Sequence, residues 1–95
     1  MHSYETIMAI PSSFSEKKVD EKIAQVKKII EKNDGKISSS ESLGEIQMAY
    51  KVDNHLRAFY HIIEFKAPGE LVDELREHYR LNKAYIRDMT VRTDK

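Results

Sequence analysis

Ala58-Phe59-Tyr60-His61-Ile62-Ile63-Glu64-Phe65-Lys66 is the most strand-like stretch of this 95-residue sequence, and Pro68-Gly69 breaks it. Aromatic and β-branched side chains fit a pleated surface. The two-residue period puts Phe59, His61, Ile63 and Phe65 on one face and Tyr60, Ile62 and Glu64 on the other. Phe59, Ile63 and Phe65 are read as core, which leaves Tyr60 and Ile62 on the opposite, open side of a sheet.

The neighbouring segments take their assignment from this strand. Upstream, Ile46, Met48, Tyr50 and Val52 alternate with Glu45, Gln47, Ala49 and Lys51, the pattern of a half-buried strand. Asp53-Asn54-His55 between them is turn chemistry. The preceding residues 36–43 (KISSSESL) form a weaker strand, interrupted at Gly44, where a bulge or bend is expected. Such a bulge would decide which face Tyr50 takes. Downstream, Leu71, Val72, Leu75 and Tyr79 define an amphipathic helix over about 69–80, and residues 85–92 (YIRDMTVR) a last strand.

The beginning of the chain completes the pattern. Residues 3–10 (SYETIMAI) read as a strand stopped by Pro11. Ser15 is a good N-cap with Glu16 in the first turn, and Phe14 and Val19 occupy the two staple positions. Val19, Ile23, Val26 and Ile30, widened by Ile29, form one face of a helix. Asn33-Asp34-Gly35 ends it, with Gly35 suited to a left-handed cap. The order is β-α-β-β-α-β. Each helix crosses over between strands, which predicts a single α+β domain over 1–95. Its fold is a ferredoxin-like sandwich: a four-stranded antiparallel sheet with two helices on one face. The other face is left open, and an open face on so small a domain is where a partner binds.

Sixteen basic residues balance sixteen acidic ones, so the chain is neutral, whereas a dedicated nucleic-acid binder is usually basic. Only the last stretch departs from this, with Arg80, Lys83, Arg87, Arg92 and Lys95 against Asp88 and Asp94. There is no cysteine, hence no disulfide framework, thiolate metal site or thiol nucleophile. The start lacks a basic region followed by an apolar run, and no apolar stretch reaches the roughly 20 residues of a membrane span. A soluble, cytoplasmic protein is expected.

Signatures of catalysis are missing. His2, His55, His61 and His78 have no ligand-like spacing, and His61 and Glu64 point to opposite faces of a strand. An acylphosphatase-like enzyme of this fold needs an arginine in the loop after the first strand, which here is Pro11-Ser12-Ser13-Phe14. The RNA-recognition motif places stacking aromatics on its third strand. Arg57-Ala58-Phe59-Tyr60-His61-Ile62 fits that pattern only at Arg57, Phe59 and Ile62. No enzyme, metal or cofactor is expected.

Several residue groups, in order, carry a family likeness: Tyr4-Glu5-Thr6; Leu43-Gly44 with Met48-Ala49-Tyr50; Phe59-Tyr60 and Ile63-Glu64-Phe65 before Ala67-Pro68; Arg80-Leu81-Asn82; Ile86-Arg87; and Met89-Thr90-Val91. The chain resembles small-subunit ribosomal protein six, the bacterial S-six family, over essentially its whole length. That resemblance implies a structural component of the small (30S) ribosomal subunit, without cofactor or reaction. It also implies pairing with small-subunit protein eighteen and binding to the central domain of 16S ribosomal RNA. The family commonly carries basic residues where this chain has Glu45-Ile46-Gln47 and Asp53-Asn54-His55, so RNA contacts are expected at Arg57, Arg80, Arg87 and Arg92 instead. Tyr50, Tyr60 and Ile62 are the expected protein-contact residues. The sequence ends at Lys95, short of the longer tail of many family members. A different class of reading, from the fold alone, is a regulatory or small-molecule-binding domain that oligomerises through its open sheet.

Overall fold

The computed structural model describes residues 1–94; Lys95 of the basic stretch lies outside them. Six elements follow in the expected order: β1 (His2–Pro11), α1 (Glu16–Lys32), β2 (Lys36–Val52), β3 (His55–Ala67), α2 (Glu70–Leu81) and β4 (Arg87–Arg92). The strands form one antiparallel sheet in the order β2-β3-β1-β4. This is the ferredoxin-like arrangement. No helix among the described residues is long and apolar enough to cross a membrane.

Both helices pack on the same face of that sheet. Val19, Val26 and Ile30 of α1 join Leu71, Val72, Leu75 and Tyr79 of α2 over Tyr4, Met8 and Ile10 of β1 and Ile63 and Phe65 of β3. Phe59 packs against the same core, as the pleat of its strand requires. Burying a side chain such as Phe65 or Leu75 contributes about 1.5–3 kcal/mol. Within this apolar layer Thr6 is hydrogen-bonded to the Tyr79 hydroxyl at 2.7 Å and to Thr90 at 2.9 Å. The three hydroxyls satisfy one another and fasten α2 to the two strands beneath it.

Local chemistry sets the helix ends. The Lys18 amide donates to Ser15 Oγ at 3.3 Å, the N-cap bond that the sequence calls for. At the C-terminal end the expectation for Gly35 is corrected in its detail. Asp34, not Gly35, takes the left-handed conformation, with φ of 65°. The Gly35 amide donates to Ile30 O at 2.8 Å, closing the reverse turn characteristic of a helix stop. Glycine is required there for space: a Cβ would lie 2.6 Å from both Ile30 Cγ2 and Ile30 O. The turn between β2 and β3 is also tighter than expected. Asp53 and Asn54 carry φ of 50° and 66°, and His55 already belongs to the strand.

A second polar set ties α1 to α2 and the loop before β4. The Tyr85 hydroxyl donates to Lys22 O at 2.7 Å, which uses its only hydrogen. His78 Nε2, 2.9 Å away, must therefore donate to that hydroxyl. This leaves His78 Nδ1 to accept from Asn82 Nδ2 at 3.4 Å, while Asn82 Oδ1 accepts from Lys22 Nζ at 3.3 Å. The arrangement needs a neutral imidazole. Burial, helped by the Lys22 charge and opposed by Glu74, holds the His78 pKa below its ordinary value.

Two outcomes are expected. Gly35→Ala forces the α1–β2 corner apart and costs about 2 kcal/mol in a denaturant melt. Because the folded state binds a proton at His78 less readily than the unfolded chain, stability is complete above the unfolded value of 6.5 and declines as pH falls below it. His61, whose pKa is lowered chiefly by burial, acts in the same direction. Urea midpoints should drop between about pH 7.5 and 5.5, and His78→Gln should narrow that difference.

Candidate functional site

Residues directly opposed across an antiparallel ladder share a face. Tyr4, Thr6, Met8 and Ile10 lie under the helices, so Glu5, Ile7 and Ala9 point to the side that neither helix covers. Ile7 is flanked there by Ile62 of β3 and Met89 of β4, Ala9 by Tyr60 and Arg87, and Glu5 by Glu64 and Val91. The result is an apolar strip across the middle of the free face, with Met89 and Val91 largely exposed. A shallow concavity of about 370 Å3 runs along it, between Ile7, Tyr60, Arg87 and Met89.

Two irregularities bring β2 into this surface. Ser42 pairs with His61 on the helix side, but Gly44 pairs with Tyr60 on the free side. One residue is skipped, and Gly44 takes φ of 80°, a conformation open to glycine. From there Ile46 follows Ala58 onto the free side. Farther on, the four residues Met48 to Lys51 stand opposite Leu56 alone. The excess chain arches over the end of the sheet. Met48 becomes buried with Ala9 and Ala58, while Tyr50 stays 64% exposed and reaches Arg87. Arg87 Nη2 donates to the Tyr50 hydroxyl at 3.2 Å, with the guanidinium 5.8 Å from the ring centroid. A cation over a tyrosine face gains about 0.5–1 kcal/mol at an exposed site.

Tyr50, Tyr60 and Ile62 thus share one surface, and Arg87 joins them there. The other three expected arginines have acidic neighbours. Arg57 Nη1 lies 3.6 Å from Glu45, Arg80 donates to Glu77 at 3.2 Å, and Arg92 donates to Asp94 at 2.8 Å. The four expected arginines do not form one patch. Arg57 and Arg87 lie near the end of the sheet where β1 finishes, and Arg80 and Lys83 line a cleft there with Asp53 and His55; Arg92 is at the opposite end, across from Tyr4. The sequence reading missed Ile7, Met89 and Val91 as surface apolar residues. Their alternation in the first and last strands was the available signal. His61 faces the helix side, with Nε2 2.7 Å from Ser40 Oγ and Nδ1 buried without a partner among the described residues. Among those residues no three histidine or carboxylate groups converge as metal ligands would.

Comparison with known proteins points one way. A family model described as Ribosomal protein S6 matches residues 3–92. The small ribosomal subunit protein bS6 of Campylobacter hominis is 34% identical over 92 residues, covering 97% of this chain and 63% of that protein. The bS6 protein of Helicobacter acinonychis is 31% identical over 94 residues, covering 99% and 66%. That of Nitratiruptor sp. is 33% identical over 92 residues, covering 97% and 72%. The chain therefore spans just under two thirds of the length of the first two. The crystal structure of 30S ribosomal protein S6 from Thermotoga maritima matches with a TM-score of 0.93 at 31% identity, over 97% of this chain and 87% of that one.

Opposite faces of β3 should respond oppositely to a charge. Phe65→Asp buries a carboxylate under the helices and should abolish cooperative folding. Ile62→Asp should shift a urea melt by no more than about 1 kcal/mol. The reverse ranking would mean that the two faces have been exchanged.

Proposed function

As this chain belongs to the ribosomal protein S6 family, we propose that it is a structural component of the bacterial small (30S) ribosomal subunit that docks a protein partner on its free sheet face. The partner is small-subunit protein eighteen, and the pair binds the central domain of 16S ribosomal RNA in the cytoplasmic ribosome. The observation that carries this reading is the uncovered surface on which Tyr50, Tyr60 and Ile62 meet Ile7 and Met89. A stable small domain gains nothing from leaving such a strip in water, and a partner that covers it removes apolar area from solvent at about 25 cal/mol per Å2.

RNA is contacted by arginines outside that strip. Arg80 and Lys83, lining the cleft near the β2–β3 turn, are the main phosphate-facing pair; Arg57 contributes from the same end of the sheet and Arg92 from the other end of β4. Arg87 sits at the border of the two surfaces. In a neutral chain these few cations give weak binding alone, because RNA affinity follows the number of phosphates neutralised. The partner supplies the remainder.

The purified chain should cosediment with small subunits, bind central-domain RNA weakly by itself, and bind it far more tightly with protein eighteen. Tight, partner-independent binding near physiological salt would refute the reading. Arg87→Ala should lower the slope of log affinity against log salt by about one for the assembled pair, as loss of a single phosphate contact does. An unchanged slope with weakened pairing would assign Arg87 to the sheet face alone.

A further inference from the structure

The helix side of the sheet keeps a cleft beyond the core. β3 turns Phe59, His61 and Ile63 toward the helices, but β2 sets only Ser42 and Ser40 opposite His61 and Ile63. Such short side chains leave space between α1 and the edge strand. The cleft measures about 410 Å3, within the range of small-molecule sites. Val19, Ile23 and Phe59 form its apolar floor, and the last two pack on the core while staying partly open. Glu16 and Asp20 stand on its α1 wall one turn apart, and neither has an ion-pair partner among the described residues. Like charges at that spacing destabilise a helix. The helix dipole offsets this for Glu16 in the first turn, but not for Asp20 in the second. Neighbouring cations do not fill the gap. Arg57 is paired with Glu45 beside Phe59, while Lys17 beside the acidic row and Lys27 at its far end do not line the cleft. His61 lines the β3 side, with Nε2 2.7 Å from Ser40 Oγ. Burial and the Lys27 charge, opposed by Asp20, hold its pKa below the ordinary value, so the ring is neutral near neutral pH.

We propose that this cleft binds a small organic monocation with an apolar body, of the arylalkylamine class: the ring rests on Ile23 and Phe59, and the ammonium group sits between Glu16 and Asp20. Charge complementarity selects the occupant. Two unpaired carboxylates repel phosphate and carboxylate, which excludes nucleotides, RNA and acidic metabolites. Lys27, farther along the same row of α1, disfavours a second ammonium and so separates this ligand from a polyamine. A bare metal ion lacks its ligand set, because no three histidine or carboxylate groups converge among the described residues. An ammonium group between Glu16 and Asp20 relieves their mutual repulsion. It also lies beside an apolar floor, where the lower local dielectric strengthens the attraction beyond that of an open surface pair. The cleft is on the helix side, away from the free sheet face, so the inference does not depend on the partner or RNA proposed above.

The test is an NMR titration of the full chain with phenethylamine near neutral pH, with phenylacetate and spermidine as comparisons. Saturable amide shifts are expected at Asp20, Ile23, Ser42, Gly44 and His61, with phenylacetate inert and spermidine several-fold weaker. Near saturation, phenethylamine should raise the melting temperature by a few degrees. Asp20→Asn should weaken binding about tenfold, as loss of one charge-assisted contact does. That variant, relieved of its like-charge neighbour, should melt no lower than the parent, which separates lost binding from lost folding. Ser42→Leu, which fills the cleft from the exposed edge of β2, should abolish the shifts; if it also lowers the melt, Asp20→Asn alone decides. The inference is overturned by an absence of saturable shifts, by shifts scattered over the acidic surface, or by phenylacetate or spermidine binding as tightly as phenethylamine. It is equally overturned if Asp20→Asn binds as the parent does, or if a folded Ser42→Leu chain still binds.

Discussion

Ten consecutive residues of β1, His2 to Pro11, pair without interruption against Ala67 to Ala58 of β3, and this register is the constraint on which everything else depends. Because the side-chain period is two, a slip of one residue would send Ile63 and Phe65 to water and Ile62 and Glu64 beneath the helices. One ladder therefore fixes both the core and the free face. The buried hydroxyls fix the neighbouring ladder. Thr6 opposes Thr90 in the β1–β4 pairing and also reaches Tyr79 of α2, and a stranded buried hydroxyl would cost about 1–3 kcal/mol. The polar set that locks α2 to the sheet thus also resists slippage of β4 against β1.

Much of this architecture was legible in the sequence because its signals are local. The periods of two and 3.6, the Ser15 cap and the Pro-Gly break after β3 act within a few residues, and they give the element order and the correct faces of Phe65 and Ile62. What escaped depends on residues far apart. The extension of β3 back to His55 has no strong strand signal of its own; it exists because β2 lies alongside as a hairpin arm. Gly35 is read from sequence as a conformational necessity, yet Asp34 supplies the left-handed turn and Gly35 supplies clearance beneath Ile30. The place of Tyr50 follows from two bulges whose combined effect no local pattern states.

The candidate site divides along the same line. Tyr60 and Ile62 were legible from alternation, since a strand pointing Phe59, Ile63 and Phe65 inward must point them outward. The pairing of Arg80 with Glu77 went unread, although its i,i+3 spacing on a helix was there in the sequence. Arg87 was readable as a cation but not as a neighbour of Tyr50, because the sequence separates them by 37 positions and only the arch of β2 brings them together.

Neutral composition turns out to be an average over two different surfaces. Arg57, Arg80 and Arg92 sit beside carboxylates in exposed ion pairs, and such pairs contribute only about 0–1 kcal/mol. Any competing anion can therefore displace the carboxylate at little cost, so in-chain pairing leaves those guanidinium groups open to phosphate while lowering their long-range field. The free face is different again, mixed rather than one-signed. Glu5 and Glu64 stand opposed across β1 and β3, and Lys66 and Lys36 follow on the same side, with Lys66 diagonal to Glu5. Opposite charges on diagonal positions of a sheet offset the repulsion of the opposed pair. What sets this face apart from the rest of the surface is therefore the apolar strip of Ile7, Ile62 and Met89, which no element of the described chain covers.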